Sequence, residues 1–206
     1  MTFATWLTVV TICALGAMSP GPSLALVLKQ TLSGGRRHGV VAALFHGLGI
    51  GIYAFLSILG LAAIITTSPT AFTALQWGGA LYLAWLGFKG LTAKPTANNE
   101  LPDIPTTRSA ARDGFLIAFF NPKVAVFFLA LFSQVVGTDT SLLAKFGYAA
   151  TALVIDTGWY LIVAWLFSNP KWLDVLRQRA VWFERVFGAV LIALAGRLVA
   201  GIVNGR

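Results

Sequence analysis

Apolar residues fall along the chain in six blocks, about 3–27, 40–66, 70–90, 114–136, 146–168 and 183–203, each parted from the next by turn-forming or charged residues. Ser33-Gly34-Gly35-Arg36-Arg37 divides the first two, and Thr66-Thr67-Ser68-Pro69-Thr70 the next pair. Thr92 to Arg112 holds three prolines and two adjacent asparagines, while Gly137-Thr138-Asp139-Thr140 and Asn169-Pro170-Lys171 mark the remaining boundaries. A helix crossing the hydrocarbon of a bilayer needs roughly 20 mostly apolar residues. The stretch from Val40 to Phe88 has no Lys, Arg, Asp or Glu and has room for two such helices. The pattern therefore predicts an all-α integral membrane protein, a single transmembrane domain over 1–206 with six transmembrane helices.

Composition agrees: 57% of residues are hydrophobic and 11% charged, against about a quarter charged in soluble domains. A water-soluble globule is excluded. Ala14-Leu15-Gly16-Ala17 resembles a signal-peptidase site, but the residues before it lack a positive n-region, so a retained first helix is expected.

The net charge of +8 does not point to nucleic acid, because the basic residues sit between apolar blocks rather than on a polar face. Of the 15 lysines and arginines, eleven fall in alternate connections: Lys29, Arg36 and Arg37; Lys89, Lys94, Arg108 and Arg112; Lys171, Arg177, Arg179 and Arg185. The other connections and both ends hold only Lys145 and Arg206. Positive residues favour the cytoplasmic side, so both termini are expected in the periplasm. The apolar residues Trp172, Leu173, Val175, Leu176, Val181, Trp182 and Phe183 alternate with the last basic cluster, as in a segment lying along the inner headgroups.

The halves resemble one another. Gly79-Ala80 followed by Gly87-Phe88-Lys89 matches Gly188-Ala189 followed by Gly196-Arg197, and Pro20-Gly21-Pro22 stands where the second half has Asn121-Pro122-Lys123. This suggests two inverted three-helix repeats, about 1–91 and 113–206, joined by a cytoplasmic linker at about 92–112. Inverted repeats with interrupted helices are a signature of secondary transporters.

Candidate chemistry is confined to a few positions. Pro20 and Pro22 around Gly21 cannot continue a regular helix, and such a break persists in a membrane where it is buried in protein or lines a polar cavity. Pro122 interrupts the fourth block similarly, beside the Asn121 amide and the Lys123 cation. An embedded lysine costs at least about 2.5–3.5 kcal/mol on insertion scales, which favours a cavity-facing role over snorkelling. Asp156, in the middle of the fifth block, is suited to a substrate ammonium, to the coupling proton, or to a structural pair with Lys123 or another buried donor. His46 is a second proton-coupling candidate, Gln134 a weak candidate for the exit path, and Gly47 with Gly51 a small-residue face for close helix packing within the chain or between copies. One cysteine and two scattered histidines leave no disulfide framework, thiolate pair or zinc motif. No metal or cofactor is expected, and no motif for catalysis is present.

The series Ser19-Pro20-Gly21-Pro22, Gly35-Arg36-Arg37-His38-Gly39, Gly60-Leu61, Gly79-Ala80-Leu81-Tyr82-Leu83 through Gly87-Phe88-Lys89, and Gly114-Phe115 running into Asn121-Pro122-Lys123 resembles the LysE/RhtB family of amino-acid exporters. The resemblance covers nearly the whole chain. It implies a bacterial inner-membrane protein that exports amino acids or close derivatives using the proton gradient. Many relatives place an aspartate in the second helix near Gly49; here that stretch reads Gly49-Ile50-Gly51 and His46 is the titratable group. The expected function is export of a small zwitterionic amino acid by proton antiport with alternating access, its site built from Pro20, Gly21, Pro22, Asn121, Pro122, Lys123 and Asp156. Export of another small solute or ion, a membrane assembly role, and a homo-oligomeric state stay open at this point.

Overall fold

A computed structural model describes residues 3–19, 21–93 and 107–204; side chains 170–178, 180, 183 and 184 lie outside that description, as does Pro20 altogether. The described residues form seven helices: α1 (Phe3–Met18), α2 (Pro22–Thr67), α3 (Pro69–Leu91), α4 (Thr107–Phe119), α5 (Pro122–Phe132), α6 (Leu142–Leu166) and α7 (Pro170–Val203). There is no strand among them. Proline opens α2, α3 and α5, positions where its missing N–H leaves no helical bond unmade. Ser68, Asn121 and Ser141 cap α3, α5 and α6 through their side chains.

The boundaries depart from the hydropathy blocks in an instructive way. The first block does not form one helix. α1 stops at Met18, the chain resumes at Pro22, and α2 then continues through the polar separator into the second block. Gly35 alone breaks its geometry, with φ 77° and ψ 176°, a backbone that glycine adopts without penalty. A predicted loop is thus a kink. Around it, Arg36 donates to Ser168 Oγ at 3.1 and 3.2 Å, and the His38 ring contacts the Gly34 carbonyl and, at 3.3 Å, Thr107 Oγ1. α4 begins inside the predicted linker, and α4 and α5 meet at a 48° bend. The basic segment before the sixth block is helical and continuous with it in α7.

By length and composition, three helices among the described residues can cross a membrane: α2, α6 and the Arg185–Val203 part of α7; the bent α4–α5 pair makes a fourth. Large apolar side chains face outward, with Leu81 68%, Phe88 64% and Trp165 61% exposed. An outer surface of that kind suits lipid rather than water.

α2 and α6 pass in opposite directions: Gly39 lies against Ala164, Gly47 against Thr157 and Gly51 against Leu153. A Cβ on Gly47 would stand 1.7 Å from Thr157 Oγ1, and one on Gly51 2.6 Å from Leu153 Cδ1. The small-residue face is therefore used inside the chain, where close backbones gain dispersion that lipid cannot supply. α3 and α7 are likewise antiparallel, and a Cβ on Gly87 would stand 2.8 Å from the Gly188 carbonyl oxygen.

The interior is divided into two apolar clusters. One joins Val9 and Ile12 of α1 with Ile50–Leu61 of α2, Phe128–Phe132 of α5 and Ala144–Ala152 of α6. The other joins Leu24, Val27, Ala42 and Ala43 of α2 with Tyr160–Phe167 of α6. Along α2, position 46 falls between the clusters; along α6, position 156 does.

Candidate functional site

The two helix interruptions meet at the level between those clusters. Gly21 stands at the N-cap of α2 with no side-chain cap, so the first-turn N–H groups there have no intrahelical acceptor. On the other side, Asn121 Oδ1 accepts from Lys123 N at 3.0 Å, while its Nδ2 donates to Ser23 Oγ at 3.3 Å. The side chain that starts α5 is thereby tied to the first turn of α2.

Lys123 crosses in the same sense. Its Nζ donates to Ser19 Oγ at 2.7 Å, lies 4.4 Å from the Phe187 ring centroid, and would be 3.4 Å from a Cβ on Gly21. The side chain reaches into the opposing break. A cation in the first turn of a helix opposes the helix dipole. Two half-helix N-termini and an ammonium group in one place therefore make a region that attracts an anion.

The other charged element is a buried pair. His46 Nδ1 and Asp156 Oδ2 share a hydrogen bond of 2.6 Å, with the residues 1% and 6% exposed. The close approach at Gly47 and Thr157, one residue on from each, brings them together. Tyr160, one turn after Asp156, packs edge-to-face with the imidazole, with centroids 4.8 Å apart, and its hydroxyl is engaged with Ser23. His46 Nε2 is buried and has no hydrogen-bond partner among the described residues. Such a group costs about 1–3 kcal/mol until something satisfies it.

These groups line one cavity of about 640 Å³, the open space at its mouth included. Gly21, Pro22, Asn121, Lys123, Asp156 and His46 all contribute, joined by Cys13, Ser19, Ser23 and Tyr160; Ile50, Leu83, Leu86, Phe127, Phe128, Phe187 and Leu191 supply its apolar wall. Pro122 opens the helix that carries Lys123 but is not in the lining. Gln134 stands apart, beyond the end of α5, where its Nε2 donates to the Ala130 carbonyl at 3.1 Å. Pro20 is outside the described residues. Among the described residues no three of His, Cys, Asp and Glu gather as metal ligands would. Sequence reasoning missed Ser23 and Tyr160 as site residues; the available signal was local, one residue after Pro22 and one helical turn after Asp156.

Comparison with known proteins gives this geometry a context. The profile of the LysE type translocator family matches residues 14–201, and the chain belongs to that family. It is 28% identical to the threonine efflux protein of Escherichia coli K12 over 94% of this chain and 97% of that one. It is 29% identical to the leucine efflux protein of Klebsiella pneumoniae over 87% of each, and 30% identical to the homoserine/homoserine lactone efflux protein of Salmonella typhimurium over 97% and 98%. No solved structure matches the chain.

Proposed function

We propose that this member of the LysE translocator family exports a small zwitterionic amino acid or a close derivative across the bacterial inner membrane, by proton antiport with alternating access. One observation carries the reading. Across a single largely apolar cavity, the anion-attracting wall of two half-helix starts and Lys123 is accompanied by the buried Asp156–His46 pair. The first group suits a carboxylate, and the second suits an ammonium group or a proton.

The reading extends to topology. Six spans arise if α1 continues across the break into the first part of α2, the kink at Gly35 begins the second span, α3 is the third, α4 and α5 together are the fourth, and α6 and α7 complete the set. The first three and last three then form inverted repeats with both termini in the periplasm. The antiparallel passage of α2 against α6 and of α3 against α7 supports this arrangement. The two apolar clusters on either side of the charged layer are suited to act as inner and outer gates. Inward proton flow through the Asp156–His46 pair would drive export.

The threonine, leucine and homoserine named for the relatives define the first panel to test. Cells loaded with dipeptides of these residues should release the free amino acid faster with the wild-type protein than with empty vector. Asp156→Asn should reach the membrane normally and lose that release. Accelerated efflux of nothing in a wide amino-acid panel would refute the exporter reading; unchanged concentrative efflux by Asp156→Asn would refute the role of the carboxylate.

A further inference from the structure

Asp156 is engaged by His46, yet the imidazole itself is only half used. An ionised Asp156 can only accept, so with the carboxylate charged Nδ1 is the donor in their 2.6 Å bond, and a neutral ring then presents a lone pair on Nε2, the atom left without a partner among the described residues in a ring that lines the cavity. The atom is buried. Two occupants of the cavity that this ring lines have the chemistry to use the lone pair: the ammonium group of a bound amino acid, or a proton. They cannot be present together. A proton on Nε2 removes the lone pair and turns the ring into a cation, which repels an ammonium group.

We propose that the substrate ammonium and the coupling proton compete for His46 Nε2, so that each occupies the site only when the other has left. This rests on the exporter reading above and specifies its coupling step. With the cavity open to the cytoplasm, Nε2 releases its proton and the amino acid enters, its ammonium donating to Nε2 and its carboxylate held at Lys123. With the cavity open to the periplasm, a proton binds Nε2 and the amino acid leaves with its own charge unchanged. One zwitterion moves out, one proton moves in, and the cycle carries one positive charge inward.

The surroundings favour this use of the ring. Among the described residues, the titratable or charged groups that share the cavity with His46 are Asp156 and Tyr160 on α6, Cys13 on α1 and Lys123 on α5. The face of α4 that packs beside it, at Phe115 and Ala118 against Gly49, brings no titratable group, and α2 itself has no Lys, Arg, Asp or Glu between Val40 and Thr67. An ionised Asp156 fixes which nitrogen holds the resident proton, and the edge-to-face contact with Tyr160 orients the ring.

The test uses the full chain, purified and reconstituted in proteoliposomes, with radiolabelled threonine and leucine as probes. By reciprocity of linked binding, the wild-type affinity for the probe should fall up to about tenfold per pH unit on acidification. Binding at acidic pH should release about one proton per amino acid, measured with a pH indicator in weakly buffered detergent solution. His46→Gln keeps a neutral acceptor that does not titrate. It should exchange labelled for unlabelled probe at reduced affinity, with a flat pH profile and no accumulation driven by a pH gradient. Wild-type exchange with pH-independent affinity and no proton release overturns the competition while leaving the exporter reading intact, as does pH-driven accumulation by His46→Gln. If that variant does not assemble, proton release by the wild type decides alone. Absence of exchange by the wild type overturns both readings.

Discussion

Lys123 is held within hydrogen-bonding distance of Ser19 and over Phe187, with its ammonium group at the break of the opposite half. Hydrogen bonds to charged groups are worth about 1.5–3 kcal/mol, so losing the cation while keeping the amide-length side chain should weaken carboxylate binding roughly 10- to 100-fold. Lys123→Gln should therefore raise the KM for efflux by that factor with the protein still in the membrane, read from efflux rate against internal amino-acid concentration. An unchanged KM would mean the carboxylate is held elsewhere. At this scale the sequence is selective in what it reveals. Lys123 and Asp156 stand out because a charge in an apolar block is expensive. Ser19, Ser23 and Tyr160 do not, since hydroxyl groups are ordinary in membrane helices and only neighbours distant in sequence give them a role.

Among elements, the two breaks were legible and their consequences were not. Pro22 and Pro122 say that a helix restarts, because neither can donate to the preceding turn; they do not say that the restarted helix α2 runs on through a glycine kink for 46 residues. Packing between elements turns on small residues at a few contacts. Gly47→Val puts a branched side chain where even a Cβ would be 1.7 Å from Thr157 Oγ1, and overpacking of this kind costs about 1–3 kcal/mol or more. It should lower the melting temperature in detergent and separate α6 from α2, with loss of the His46–Asp156 bond and of efflux. Gly78→Ala, with nothing within 4 Å of the added carbon, should melt as the wild type does. Equal melting of the two variants would count against the close α2–α6 contact.

For the whole molecule, the expectation that binds the rest together is the inverted arrangement. Basic residues lie in alternate connections, so a phosphatase reporter, active only in the periplasm, should be active when fused after Arg206 and inactive when fused after Lys94. The reverse pattern would invert the proposed orientation, and activity at both positions would break the six-span topology. The outward-facing apolar side chains surround an interior in which the His46–Asp156 pair lies between two apolar clusters.

Hydropathy, charge placement and the proline breaks determine by themselves that this is a helical membrane protein with polar groups confined to a few embedded positions, because lipid penalises every unsatisfied backbone group and every stray charge. The partners of those positions were decided only by the tertiary structure. Asp156 could have met Lys123 or another buried donor; it meets His46, 110 residues away in sequence, because glycine lets α2 and α6 approach closely at that level. Lys123 reaches Ser19 at the opposing helix break. Pairing of this kind depends on which helices touch and at what register, and hydropathy measures each residue against lipid without specifying either.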